Sequence, residues 1–110
     1  MAYDEELADR IRSLLADEVG VREQKMFGGL AFLVGGNMAV AASGGGGLLA
    51  RVDPAESDAI AAETGAETME MRGRRMPGWL RVEAAAVWDD AELQRWVERG
   101  AGYARSLPPK

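Results

Sequence analysis

Apolar residues recur at helical spacing near both ends of the chain. Near the start, the spacing predicts a helix over residues 4–18, which Asp4 caps and Gly20 can end. Near the end, it predicts a helix that Asp89 caps and whose last turns fray unless packing needs the small size of its two glycines. The buried face of this helix is predicted to comprise Leu93, Trp96, Val97, Gly100, Ala104 and Leu107.

Between these helices, apolar residues first cluster in three short runs, at residues 24–34, 38–43 and 48–52. Gly35 and Gly36 supply the positive φ of a tight hairpin turn, and the glycines at residues 44–47 form a longer loop. Because short connections make neighbouring strands antiparallel, the three runs predict a three-stranded meander.

The pattern then predicts a middle helix followed by a second pair of strands. Residues 53–56 resemble a helix start with an Asp53 cap and a capping box, and Gly65 ends the helix. Residues 66–71 alternate weakly, as in an edge strand, and residues 79–83 form a clearer strand. We expect these two strands to form a hairpin, with the last strand beside the third run.

The element order is therefore predicted as α-β-β-β-α-β-β-α. The simplest architecture for this order is a two-layer α+β fold, with an antiparallel sheet and helices on one of its faces. We expect residues 1–110 to form a single domain, of which residues 106–110 are a flexible tail.

Gly28 and Gly29 lie inside an otherwise strand-like apolar run. One interpretation is structural: the glycines bend the strand, allow a bulge or let a neighbour approach closely. The other is a phosphate-cradling loop, which needs a helix after it, whereas a strand follows here. We favour the structural interpretation, and for the same reason we interpret residues 44–47 as a hairpin loop.

The amino-acid composition excludes several kinds of functional site. The chain has no cysteine and no histidine, which excludes disulfides and thiol nucleophiles and removes the commonest general base and metal ligand. A net charge of −5 disfavours DNA binding, and no apolar run is long enough to span a membrane. The acidic start is unlike a signal peptide, so we expect a cytoplasmic protein.

Paired carboxylates occur at two positions, but both coincide with predicted helix caps. These are Asp53 with Glu56, and Asp89 with Asp90 and Glu92. Because capping explains them, we predict no catalytic, cofactor or metal site.

One basic cluster remains, formed by Arg72, Arg74, Arg75 and Arg81 near Trp79. The candidate interaction site comprises Arg72, Arg74, Arg75, Met76 and Trp79, and it could grip a phosphate or an acidic partner from a surface loop. The alternative is a solvated loop that balances nearby acidic residues. The many methionines are likewise either core gap-fillers or a soft surface patch for a partner or a second copy.

The stretch KMFGGLAFLVGGNMAVAASGGGGLLARVD resembles the signature of the TfoX N-terminal domain family, the bacterial competence-regulator (TfoX/Sxy) group. Residues 76–79 and the helix from Asp89 also fit the family. The residues that carry the motif are Met26, Phe27, Gly28, Gly29 and Gly36. The resemblance covers the N-terminal domain of such regulators. It implies a two-layer α/β fold and a role in transcription regulation with the cyclic-AMP receptor protein.

Two functional hypotheses follow. The first is a non-enzymatic interaction domain that contacts another protein, such as a transcription factor, and that can form a homodimer. The second is a small-molecule or nucleotide-binding protein, or an enzyme, with a pocket that joins the Arg72–Arg75 loop to the glycine loop.

Overall fold

The chain folds into one antiparallel sheet with helices, in a computed structural model that describes residues 3–26 and 28–110. The helices within these residues are α1 (Glu5–Leu14), α2 (Ser57–Thr64) and α3 (Asp90–Ser106), and a short 3₁₀ helix (Ala84–Val87) precedes α3. The strands are β1 (Val21–Met26), β2 (Gly29–Val34), β3 (Asn37–Ala42), β4 (Leu48–Arg51), β5 (Glu67–Met71) and β6 (Arg74–Val82).

The strand order across the sheet is β1-β2-β3-β4-β6-β5. The predicted α+β class is confirmed, as is the order in which helices and groups of strands follow one another. The last strand pairs with β4, which is the third predicted run, and β5 lies at an edge, both as predicted.

The first predicted run differs from the structure, because it forms two strands rather than one. Strands β1 and β2 pair antiparallel with Met26 opposite Gly29, so the glycine pair lies at a hairpin turn. Strand β1 is mostly exposed, and its polar centre carries little hydrophobic pattern. The pattern therefore indicated the buried β2 and missed the strand that precedes it.

The glycine pair allows backbone to lie directly on backbone. Gly28 has φ +75°, and a Cβ on Gly29 would collide with the carbonyl oxygen of Ala42. A Cβ on Gly44 would in turn lie 2.8 Å from the carbonyl oxygen of Gly28. The β1–β2 turn thus packs against the start of the β3–β4 glycine loop, as the close-approach interpretation expects.

The helices pack on one face of the sheet, as predicted. Residues of α1 and α3, such as Ile11 and Trp96, share one core cluster with alternate residues of the central strands, such as Phe32, Val40 and Leu80. All five are buried to 1% exposure or less. We call this side of the sheet the helix face, and it holds most of the buried apolar surface that drives folding.

Helix α3 lies against β3 at Gly100. A Cβ at this position would collide with the carbonyl oxygen of Ala39, so the helix needs glycine here. A Cβ on Gly102 would meet no backbone, its nearest neighbour being the end of Arg105 at 3.8 Å. Packing therefore offsets the low helix propensity of Gly100, and α3 continues to Ser106.

Two predicted helix boundaries are wrong. Helix α1 ends at Leu14 rather than residue 18, because the following residues turn to start β1, with i→i+3 hydrogen bonds such as Glu18 N–H to Leu15 O. Helix α2 starts at Ser57, because residues 54–56 form a turn in which Asp53 accepts from the Ala55 N–H. The predicted caps at Asp4, Asp89 and Gly65 are confirmed.

The segment after α3 lies against the β2–β3 turn. The Lys110 N–H donates to Gly35 O at 2.8 Å, and the Asn37 side chain donates to Pro108 O at 3.0 Å. These contacts cover Asn37, which is 5% exposed. The last residues of the predicted tail, 108–110, therefore contact the β2–β3 turn in the structure.

We predict that Gly100→Ala destabilises the protein and that Gly102→Ala does not. The first substitution forces α3 away from β3 and should cost about 1–3 kcal/mol of unfolding free energy. The second replaces a poor helix former where space is free, and should be neutral or add up to about 1 kcal/mol. Urea denaturation of both variants tests this, and equal effects at the two positions would contradict it.

An ion pair ties the edge strand β1 to α1. Arg12 donates to both carboxylate oxygens of Glu23, at 2.6 and 2.8 Å, and also pairs with Asp9. The hydrogen bond from Arg12 lowers the pKa of Glu23, and the positive charge of Arg12 lowers it further. The folded state therefore favours the ionised carboxylate.

We predict that Glu23→Gln is less stable than the unaltered protein at pH 7, and that the difference disappears in acid. The lowered pKa means that the stabilisation is complete above the unfolded-state value of about 4.3 and is lost as pH falls through the folded-state value. Urea denaturation at successive pH values measures this. Glu83→Gln, at an exposed glutamate, is the control, and a pH-independent difference would refute the prediction.

Candidate protein-docking face

The side of the sheet opposite the helices carries a second apolar cluster, built from strand residues alone. We call this side the open face. Its centre is buried and consists of Ala31, Met38, Ala41 and Leu49, and the half-buried residues around it are Met26, Leu33, Met69 and Trp79. The strands are therefore apolar on both sides, although helices cover one side.

A depression of about 120 Å³ lies on the open face beside the small residues Gly29, Ala41 and Gly44. Met26, Leu49 and Met69 line it, and Arg81 contributes to its rim. This volume is below the roughly 300–1,000 Å³ of small-molecule pockets. The depression suits a single apolar side chain of a partner, held between flexible methionines.

Arg51 lies at the end of β4, where its guanidinium is close to two rings, Trp79 of the open face and Tyr103 of α3. Its Cζ is 4.5 Å from the ring centroid of Trp79 and 5.4 Å from that of Tyr103. The Nε of Arg51 is buried and has no hydrogen-bond partner among the described residues. Contact with these rings desolvates part of the cation, which strengthens its attraction to a carboxylate.

The prediction that Arg72, Arg74 and Arg75 lie on a surface loop is wrong, because these residues form a tight turn and the start of β6. Arg72 and Gly73 form a two-residue turn with φ values of +54° and +78°, the positive values of a type I′ hairpin. Arg74 and Arg75 already belong to β6. Arg75 lies toward α2, where its Nη2 is 3.2 Å from the Thr68 hydroxyl and 3.6 Å from Asp58 Oδ1.

The predicted pocket between the arginine loop and the glycine loop is also wrong. The glycine loop precedes Leu48, which pairs with Val82 at one end of β6. Arg74 is at the other end of that strand, roughly 25 Å away by strand length. Arg81, with Glu67, instead borders the groove of about 300 Å³ beside the glycine loop.

Met76 and Trp79 lie in or beside an irregular part of β6. The register with β5 shifts here, Gly78 has φ +90°, and its carbonyl accepts from the Val52 N–H at 2.7 Å. Glycine is required, because a Cβ would lie 2.8 Å from Val52 O. The sequence suggested a loop because it contains Pro77 and Gly78, but Val52 and the neighbouring strands hold it in the sheet.

Most of the other residues singled out from the sequence lie in turns or helix caps. Gly36 closes the β2–β3 turn with φ +85°, whereas Phe27 lies outside the described residues. Asp89 caps α3 by accepting from the Glu92 N–H, but the Glu92 carboxylate pairs with Arg95 and leaves the capping box half-formed. Among the described residues, no three Asp, Glu, His or Cys side chains converge as metal ligands.

Sequence reasoning missed several residues of the open face. It did not select Arg22, Leu33, Leu49 or Arg51. The available signal was the alternation within each strand, since Leu33 and Leu49 fall between residues of the helix face. This signal requires the strand pairing to be known, because β2, β3 and β4 are apolar at almost every position.

The chain belongs to the TfoX N-terminal domain family, whose pattern it matches over residues 13–104. Comparison with curated proteins and with solved structures gives no significant match. Within the described residues, no helix combines the length and apolar character needed to cross a membrane.

We predict that Arg72→Asn stabilises the fold. A non-glycine residue in the left-handed region costs roughly 1–2 kcal/mol, and asparagine tolerates this region better than arginine. The variant should therefore gain a few tenths to about 1 kcal/mol in unfolding free energy, measured by urea denaturation. Gly73→Ala, which places a Cβ at φ +78°, should lose stability. A loss from Arg72→Asn would contradict the turn assignment.

Proposed function

We propose that this chain is a non-enzymatic regulatory domain that acts by binding another protein through its open face. The observation that carries the proposal is the apolar cluster of Met26, Leu33, Met69 and Trp79, which is half-buried on the side of the sheet opposite the described helices. Contiguous apolar surface of this kind is typical of protein-interaction sites, and methionine and tryptophan adapt well to a partner.

Family membership supports a regulatory role. The regulators for which the family is named act with the cyclic-AMP receptor protein, so we propose a transcription factor of this kind as the partner class. The chain's lack of histidine and cysteine favours binding over catalysis.

We predict that lysine substitutions on the open face abolish partner capture. Met26→Lys and Met69→Lys place a charge at the depression of the open face and should reduce the captured partner by about tenfold or more. Trp88→Lys is the matched control, because Trp88 is 78% exposed and lies outside the open-face cluster. Affinity purification from the native cell with quantitative mass spectrometry measures the effect.

Thermal melting of each variant separates lost binding from lost folding. Unchanged capture by both folded methionine variants would refute the proposal, as would a loss confined to Trp88→Lys. Light scattering at micromolar concentration tests the homodimer, which a single species of 11.8 kDa would exclude under those conditions.

A further inference from the structure

Ion pairs are distributed unevenly over the two sides of the sheet. Some arginines form ion pairs, each with a helix residue or a residue of the helix face or its border, and others have none among the described residues. The paired arginines are Arg10, Arg12, Arg75, Arg95, Arg99 and Arg105. The others are Arg22, Arg51, Arg72, Arg74 and Arg81, all on strands or on the β5–β6 turn.

Strand register places most of the arginines without ion pairs on the open face. Arg22 is the cross-strand partner of Leu33, and Arg51 is the partner of Trp79. Arg81 borders the depression with Met26 and Met69. Arg74 follows by alternation, because its neighbour Arg75 lies toward α2.

Fewer acidic residues than arginines lie at the open face. The register places Glu67 opposite Arg81, but the two form no ion pair. Glu70 also borders the depression, and Glu83 lines the groove beside the glycine loop together with Glu67 and Arg81. Four arginines therefore stand against three glutamates on or beside this face, a small positive excess in a chain of net charge −5.

We propose that the open face binds an acidic segment of the partner protein that also carries apolar side chains. An apolar side chain of the segment enters the depression between Met26 and Met69. Its carboxylates pair with Arg22 and Arg81, which flank the apolar centre, and with Arg51 at the end of β4. None of these three arginines forms an ion pair among the described residues. Arginine favours this role because its fork of donors matches a carboxylate. The inference rests on the proposed function and names the chemistry of its partner.

Charge complementarity favours this occupant over two others. A two-fold interface between two open faces would join surfaces with the same positive excess, and net like charge opposes it. Nucleic acid needs many phosphate contacts to bind an acidic protein, whereas the centre of this face is apolar and its arginines are few.

The test uses the full chain with ¹³C-methyl-labelled methionine and four short probes. Three are synthetic peptides of equal length, containing leucine with glutamate, leucine with lysine, or serine with glutamate, and the fourth is oligothymidine. We expect the leucine–glutamate peptide to shift the methyl signals of Met26 and Met69, assigned with Met→Leu variants. In fluorescence anisotropy it should bind at least about tenfold more tightly than the other probes.

Charge reversal identifies the contribution of the arginines. Arg22→Glu and Arg81→Glu should each weaken binding of the leucine–glutamate peptide by about fivefold or more. Arg95→Glu makes the same change in net charge on an exposed side chain of α3, and should leave binding unchanged. Equal losses in all three variants would show that only net charge matters, and would overturn the proposal.

The remaining outcomes separate this inference from the proposed function. Equal or tighter binding of the leucine–lysine peptide would overturn the acidic partner while leaving open-face docking intact. If the leucine–glutamate peptide does not bind while Met69→Lys still reduces partner capture, the acidic partner is likewise overturned and open-face docking stands. Methyl shifts that depend on protein concentration without a probe would assign the face to a second copy, and equal binding of oligothymidine would assign it to nucleic acid. Either result overturns the proposal.

Discussion

The contact between Gly100 and the backbone of Ala39 sets how closely α3 approaches the sheet, and the rest of the structure depends on it. With no side chain between the two backbones, Trp96 and Leu93 reach into the core and are almost completely buried. The apolar residues of the helix face are thereby covered. Helices α1 and α2 complete the same layer and leave the other side of the sheet to its own side chains.

This one-sided arrangement accounts for the difference between the two faces. On the helix face, large aromatic and branched residues pack between layers. Arginines near that face form ion pairs, as Arg12 of α1 does with Glu23 of β1 and Arg75 of β6 with Asp58 of α2. On the open face, two alanines, a methionine and a leucine occupy the centre, and two methionines, a leucine and a tryptophan surround them. Arginines at the periphery form no ion pairs among the described residues. A core needs neither flexible methionines at its boundary nor unneutralised cations, whereas an interface benefits from both.

The sequence predicted the parts of the fold that depend on local chemistry. The caps at Asp4 and Asp89, the end of α2 at Gly65 and the edge position of β5 all follow from residue type and spacing. Strand β1 was missed because its stabilisation comes from pairing with β2 and from the Arg12–Glu23 ion pair, neither of which leaves a hydrophobic pattern.

The candidate site was predictable only in part, because strand pairing decides which residues share a face. The sequence leaves the methionines ambiguous between core and surface, and tertiary structure is needed to assign them. The basic cluster was identified by nearness in sequence, but register separates Arg75 from Arg81 and adds Arg22 and Arg51 from distant strands. Nothing local in Arg51 indicates that Trp79 and Tyr103 enclose it.

The glycine contact between the β1–β2 turn and the β3–β4 loop has a consequence for recognition. Gly29 and Gly44 both line the open-face depression, and their backbones touch without intervening side chains. One wall of the depression is therefore made of main chain, which has no rotamers to rearrange. Such a preorganised wall selects an incoming anchor by its size, and the methionines opposite can adjust only to its shape.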